Sequence, residues 1–294
     1  MALWFSKKKI ALALGGGAAR GLAHIGVLQA FEESGIPIDM IAGTSMGAII
    51  GTMYAANPDI ALLNERILEY LQSDIFKKSR LDLIVEHKEN IEGEGLFYRF
   101  SYLVRKKLFF TLAMSKLSFV SPQTRDNSLE FLLPDIDLEE TRIPVATVAL
   151  DLISGREVVL KEGSLIKAVA ATTALPGILP PVEYNGMELV DGGWIGAIPV
   201  GPAREMGADI VIAIDAACHL NKMEPLGSGL DVVFRADEAA RYQLSQLQLK
   251  QADLVICPPT THNHWADFSD AEEIINKGRY ATLEKMTVIK KLLK

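Results

Sequence analysis

A serine set between two glycines, Gly43-Thr44-Ser45-Met46-Gly47, constrains this chain more than any other stretch. Apolar residues precede it (Ile38, Met40, Ile41, Ala42), and a run of small and apolar residues follows, from Ala48 through Ile49, Ile50, Gly51 and Met53 to Ala56. The order is strand, sharp turn, helix. Glycines let two backbones crowd together where a side chain would clash, and a serine at such a turn is strained with its hydroxyl exposed, the arrangement of a nucleophile elbow. Ser45 is the candidate nucleophile, with Gly43 and Gly47 supporting its turn.

One strand earlier lies a second glycine turn. Ile10 to Leu14 reads as a buried strand, Gly15-Gly16-Gly17-Ala18-Ala19-Arg20-Gly21 as a loop, and Leu22 to Ser34 as a buried helix ended by Gly35 and Pro37. Such loops aim backbone N–H groups at negative charge, with a helix N-terminus behind them. Phosphate binding is one use of that geometry, but there is no Lys-Ser or Lys-Thr as in a P-loop. Arg20 also stands where the last glycine of a dinucleotide motif starting at Gly15 would fall. An oxyanion hole for acyl transfer is the use that suits a serine elbow one strand later.

The remaining pattern alternates strands and helices, which implies an α/β fold with a largely parallel sheet covered on both faces. Ile60 to Gln72 reads as a helix. From Ser73 to about Leu138 the pattern loosens around a basic apolar segment, 96–119, with Phe100, Val104, Leu108 and Leu112 at i+4 spacing among Arg99, Arg105, Lys106 and Lys107. Such a segment can lie on an anionic membrane, or cap the core with its cations solvated. Strands resume at Ile143 to Leu150, and Ser164 caps a helix of small residues that stops at Pro176-Gly177. Asn185-Gly186 then signals a hairpin whose return strand, Met187 to Val190, delivers Asp191-Gly192-Gly193. Asp191 is placed either to project into a site or to make an Asx turn. Asp209 to Ile214, Val232 to Gln251 and Leu254 to Cys257 read as strand, helix and strand, and Ser269 with Glu272 as the capping box of a last helix.

Composition narrows the function classes. With 294 residues, 49% of them hydrophobic, the chain can bury a large core. A net charge of -7 argues against a general nucleic-acid binder. Lys7-Lys8-Lys9 before Ile10 to Leu14 resembles a signal peptide only superficially, because the apolar run is short, and no run approaches the roughly 20 apolar residues of a spanning helix. The two cysteines, Cys218 and Cys257, read as buried thiols in a reducing compartment, so the expectation is a cytoplasmic protein that can still touch a membrane surface.

A serine hydroxyl needs a base. Of the five histidines, His24 falls in the first helix and His87 in the capping segment, while His219, His262 and His264 are late enough for a Ser, acid, His order. His262 or His264 could complete such a triad, although their loop looks solvated. Taken together, Gly15-Gly16-Gly17 running into Ala19-Arg20-Gly21, then Gly43-Thr44-Ser45-Met46-Gly47, Ala174-Leu175-Pro176-Gly177 and Asp191-Gly192-Gly193, resemble the patatin-like phospholipases over most of Lys9 to Asp215. The resemblance implies a three-layer α/β/α sandwich as a single domain over 1–294, with a core of about 9–72 and 141–294 and a cap-like insertion of about 73–140. It implies a dyad of Ser45 and Asp191, an oxyanion hole from Gly15, Gly16, Gly17 and Ala18, an acyl-lipid substrate, and no metal or cofactor. Gly192 and Gly193 would support the Asp191 turn, and Arg20 would either bind a substrate phosphate or pack structurally. Two positions depart from the family pattern: Ala18 stands where glycine is usual, and Ala197 where asparagine is frequent. A non-catalytic lipid-binding scaffold is the alternative those departures leave open. An aspartate with a pKa near 3.9 is a weak base, so the dyad requires a dry site that raises it.

Overall fold

The computed structural model describes residues 8–79, 118, 120–220 and 226–294. Much of the expected cap, including nearly all of the basic 96–119 segment and His87, lies outside the described residues. Among the described residues eight strands form one mixed sheet: β1 (Ile10–Leu14), β2 (Met40–Gly43), β3 (Val145–Asp151), β4 (Glu157–Leu160), β5 (Val182–Tyr184), β6 (Met187–Asp191), β7 (Ile210–Ile214) and β8 (Leu254–Ile256). Their order is β5-β6-β3-β2-β1-β7-β8, with β4 also paired to β3. The β3-β2-β1-β7-β8 run is parallel and the β3, β4, β5 and β6 pairings are antiparallel. The described helices are α1 (Ala23–Glu33), α2 (Met46–Ala56), α3 (Ile60–Gln72), α4 (Asp74–Lys78), α5 (Pro122–Leu132), α6 (Leu165–Thr172), α7 (Val200–Glu205), α8 (Gly229–Leu249) and α9 (Ala271–Leu292).

Strand alternation sorts the core into two layers of different thickness. In β1 the side chains of Ile10, Leu12 and Leu14 enter the larger core, and Ala11 and Ala13 enter the smaller one. β7 repeats this, with Ile210, Ile212 and Ile214 on the thick side and Val211 and Ala213 on the thin side. Successive side chains on a strand point to opposite faces, so the alanines leave room for the short α7 to sit close to the sheet. On the thick side, α1 and α9 cross at backbone contact. A Cβ on Gly26 would lie 1.9 Å from the Ile275 carbonyl oxygen, and one on Gly278 would lie 1.9 Å from that of Ala23.

Three expectations are corrected. Cys218 and Cys257 are not thiols but a disulfide, with Cα atoms 5.8 Å apart. Adjacent β7 and β8 set Ile214 opposite Ile256, and the chain beyond β7 turns back to bring Cys218 to Cys257. With that pairing the cysteines no longer argue for a reducing compartment. The last helix does not use Ser269 and Glu272 as a capping box. It starts one residue later, with Asp270 at the N-cap and no side-chain cap bond, while the Ser269 amide donates to Asp267 at 2.9 Å. The helix expected over Val232 to Gln251 starts earlier, at Gly229, because Ser228 accepts the amide of Asp231 as its N-cap. Among the described residues no helix is long and apolar enough to cross a membrane.

In an exposed helix Gly→Ala gains up to about 1 kcal/mol. At Gly278 the added methyl meets a backbone oxygen, and overpacking costs about 1–3 kcal/mol or more. Gly278→Ala is therefore expected to lower the urea midpoint, and an unchanged or raised midpoint would contradict the backbone crossing of α1 and α9.

Candidate active site

The elbow is built as its glycines require. Ser45 ends the turn from β2 into α2 with φ 54 and ψ -122, a left-handed conformation that a residue with a side chain adopts only under constraint. The constraint is crowding: a Cβ on Gly47 would sit 2.2 Å from the Leu14 carbonyl oxygen, and one on Gly43 would sit 2.6 Å from Ala48 Cα. The Thr44 amide donates to the Leu14 carbonyl at 3.0 Å, and the Thr44 hydroxyl to the Gly196 carbonyl at 2.6 Å. The Ser45 amide donates to Thr172 Oγ1 at 3.0 Å, and that hydroxyl in turn donates to the Val148 carbonyl. Thr172 sits at the end of the small-residue helix α6, so its alanines let the hydroxyl reach the elbow.

Asp191 is the last residue of β6, opposite Ala149 in the register. Oδ1 accepts the Gly193 amide at 2.7 Å and makes the Asx turn, while Oδ2 is buried without a hydrogen-bond partner. The Ser45 hydroxyl lies close enough to favour the ionised carboxyl, yet it makes no closed bond to Oδ2. Looser contacts of this kind are ordinary in a site without substrate. Burial pushes the Asp191 pKa up to about 6, with the Ser45 hydroxyl, the Gly193 amide and the Arg241 charge opposing it. No histidine is among these partners. His262 is exposed, and His264 accepts the Ala266 amide at Nδ1, 3.3 Å away. His24 is fully buried and its pKa falls to about 4, chiefly through desolvation. Its Nε2 lies 2.7 Å from the Gly15 carbonyl, so the proton is on Nε2 and the ring braces the glycine loop.

Of the four amides expected to form an oxyanion hole, two are already engaged. The Gly15 amide donates to Ile214 and the Gly16 amide to Ala197, each at 3.0 Å, so neither can serve an oxyanion as the loop stands. The amides of Gly17 and Ala18 carry no such bond. Ala18 takes φ 47, the left-handed conformation that the usual glycine would adopt at little cost. Ala197 contributes its carbonyl rather than its side chain, so the absence of asparagine leaves this contact intact. Arg20 is buried, with Nε donating 2.8 Å to the Asn263 carbonyl, and the Ala19 amide donates 2.8 Å to Trp265. Both tie the glycine loop to the 258–268 loop. Arg20 therefore has a packing role that the sequence alone left open.

Ser45 also lines an apolar cavity of about 140 Å³ whose walls include Leu22, Met46, Ile67, Leu129 and Phe268. A larger surface groove between α1, α3 and α9 lies elsewhere and includes none of the proposed catalytic groups. Thr172, Thr44, His24 and Asn263 were not expected as parts of the site. Nothing local in the sequence marks them, because each reaches its partner across the fold.

The family model for patatin-like phospholipase matches residues 12–204, well over half the chain. This chain belongs to the patatin-like phospholipase family. Patatin-like phospholipase domain-containing protein 6 of Mus musculus is 34% identical over 208 residues, covering 70% of this chain and 13% of that protein. Lysophospholipase nte1 of Emericella nidulans is 30% identical over 222 residues, covering 76% of this chain and 13% of its own. The chain thus spans a small part of the length of these relatives. The solved structure of VipD from Legionella pneumophila superposes with a TM-score of 0.53 at 15% identity, over 96% of this chain and 67% of that one, a likeness of fold.

A carboxyl whose pKa is raised on folding binds more protons in the native state between about pH 4 and 6, so its contribution to stability falls as pH rises through that window. Above it, the buried charge costs on the order of 2–4 kcal/mol. Asp191→Asn keeps an acceptor for Gly193 and removes that charge. It should raise the melting temperature at pH 8, with the gain shrinking toward pH 4. An Asn variant less stable than wild type at pH 8 would contradict the burial of an ionisable Asp191. Ala18→Gly should gain about 1 kcal/mol in chemical denaturation by relieving the positive φ. A loss would mean that the strain has been misplaced.

Proposed function

We propose that the protein is a serine lipid acyl hydrolase that cleaves carboxylic esters through an acyl-Ser45 intermediate. One observation carries this reading: a strained serine that lines an apolar cavity stands beside a buried, half-unpartnered aspartate. Asp191 Oδ2 takes the Ser45 proton as Ser45 Oγ attacks the ester carbonyl carbon. The amides of Gly17 and Ala18 hold the oxyanion. Collapse of the tetrahedral intermediate expels the alcohol, which receives the proton from Asp191. Water then gives a proton to the same carboxylate as its oxygen attacks the acyl-Ser45 carbonyl, and collapse breaks the bond to Ser45 Oγ, which takes that proton back from Asp191 as the fatty acid leaves. Membership of the patatin-like phospholipase family supports this chemistry, as does the lysophospholipase name of one relative. The apolar walls of the cavity suit one acyl chain.

The test is hydrolysis of a short p-nitrophenyl ester and of a lysophospholipid by wild type, Ser45→Ala and Asp191→Asn, with circular dichroism confirming folding. Each substitution should cost roughly a thousand-fold or more in kcat. A double His262/His264→Ala variant should keep its activity. Because the base must be ionised, kcat/KM should rise with pH through about 6 and then level off. An active Asp191→Asn, or activity lost with the two histidines, would overturn the dyad.

A further inference from the structure

The proton inventory of a serine and aspartate pair fixes where a substrate's two halves must lie. The group that accepts the Ser45 proton returns it to the departing alkoxide, so the alcohol half of the ester sits on the Asp191 side of Ser45. The acyl half takes the apolar cavity, which Ser45 lines and Asp191 does not. On the Asp191 side the chain runs directly into Gly192, Gly193 and Trp194, a short 3-10 turn beside the carboxyl.

Over the Trp194 ring stands Arg241 of α8, its guanidinium carbon 4.6 Å from the ring centre. Arg241 Nε donates to Asp237 Oδ2 at 2.8 Å, one turn earlier on the same helix. The indole face and the Asp237 carboxylate fix the guanidinium plane between them. Among the described residues its two terminal nitrogens have no hydrogen-bond partner, and the side chain is one-third exposed. The acidic neighbour on the next position, Glu238, is already matched by Arg235 at 2.8 Å. The helix is held in place over this corner by Gln248, which donates 2.7 Å to the Ile195 carbonyl and accepts the Ile198 amide at 3.4 Å. A planar, pre-oriented fork with both ends free matches two phosphate oxygens.

We propose that Arg241 binds the phosphodiester of a glycerophospholipid on the leaving-group side of the dyad, and so selects lipids whose leaving group carries a phosphate. This rests on the hydrolase reading above. In that arrangement Asp191 handles the ester proton, the cavity holds the acyl chain, and Arg241, set by Trp194 and Asp237, reads the headgroup charge. The charge of Arg241 also favours ionised Asp191, an effect that applies to every ester alike. Selectivity between charged and neutral leaving groups separates the two roles.

The experiment measures kcat/KM for wild type, Arg241→Gln and Arg241→Lys on lysophosphatidylcholine and on a monoacylglycerol of the same chain, both below their micelle concentrations. The ratio of the first substrate to the second should fall about 10- to 100-fold in Arg241→Gln, the range expected for a lost charged hydrogen bond. Arg241→Lys should fall between, because it keeps the charge but not the fork. Asp237→Asn, which leaves the guanidinium charged but unpinned, should lower the ratio in the same direction and guards against a Gln variant that fails to fold. An equal loss on both substrates would assign Arg241 to the dyad alone, and an unchanged ratio would remove it from recognition; either overturns the proposal. Wild type that hydrolyses neither lipid would bring down the hydrolase reading itself, a result distinct from the other two.

Discussion

Everything at this site depends on how closely two backbones approach at the end of β1 and β2. Gly47 lies where a methyl would strike the Leu14 carbonyl oxygen at 2.2 Å, and Gly43 where one would strike Ala48. That contact forces the turn, the turn forces Ser45 to positive φ, and positive φ presents its hydroxyl at the carboxyl end of the sheet. The same Leu14 carbonyl accepts the Thr44 amide, so the strand that begins the glycine loop also anchors the elbow. Ser45 and the glycine loop are therefore set by one piece of backbone geometry rather than by two independent turns.

The second determinant is a conflict between burial and charge. Asp191 is almost fully buried, and burial pushes its pKa up. The Gly193 amide, the Ser45 hydroxyl and the nearby Arg241 charge draw its pKa back to about 6, where the carboxylate dominates at neutral pH yet remains a stronger base than a solvated aspartate. Folding stability is lost to hold this group.

The sequence made the periodic and locally determined parts legible. The elbow, the strand before it and the helix after it follow from residues within a short window. So does the Asn185-Gly186 hairpin, whose two central residues both take positive φ as a tight turn demands. What the sequence could not show is where individual backbone and side-chain groups find distant partners. Glycine content suggested four oxyanion amides, but Gly15 and Gly16 spend theirs on Ile214 and Ala197, residues that only the fold brings near. The cysteine pair likewise needed the adjacency of β7 and β8. Ser269 lost the N-cap to its neighbour Asp270, a shift of one residue that local pattern cannot decide. Arg241 and Trp194 lie in separate elements, with nothing in either segment to suggest that they stack.

The most direct test of the central claim is the pH dependence of Ser45 modification by a fluorophosphonate, with the labelled residue identified by mass spectrometry of the digested protein. A single adduct on Ser45 is expected, forming faster as pH rises through about 6 and much more slowly in Asp191→Asn. Labelling at another residue, or a Ser45 rate that Asp191→Asn leaves unchanged, would contradict an aspartate-activated serine in this protein.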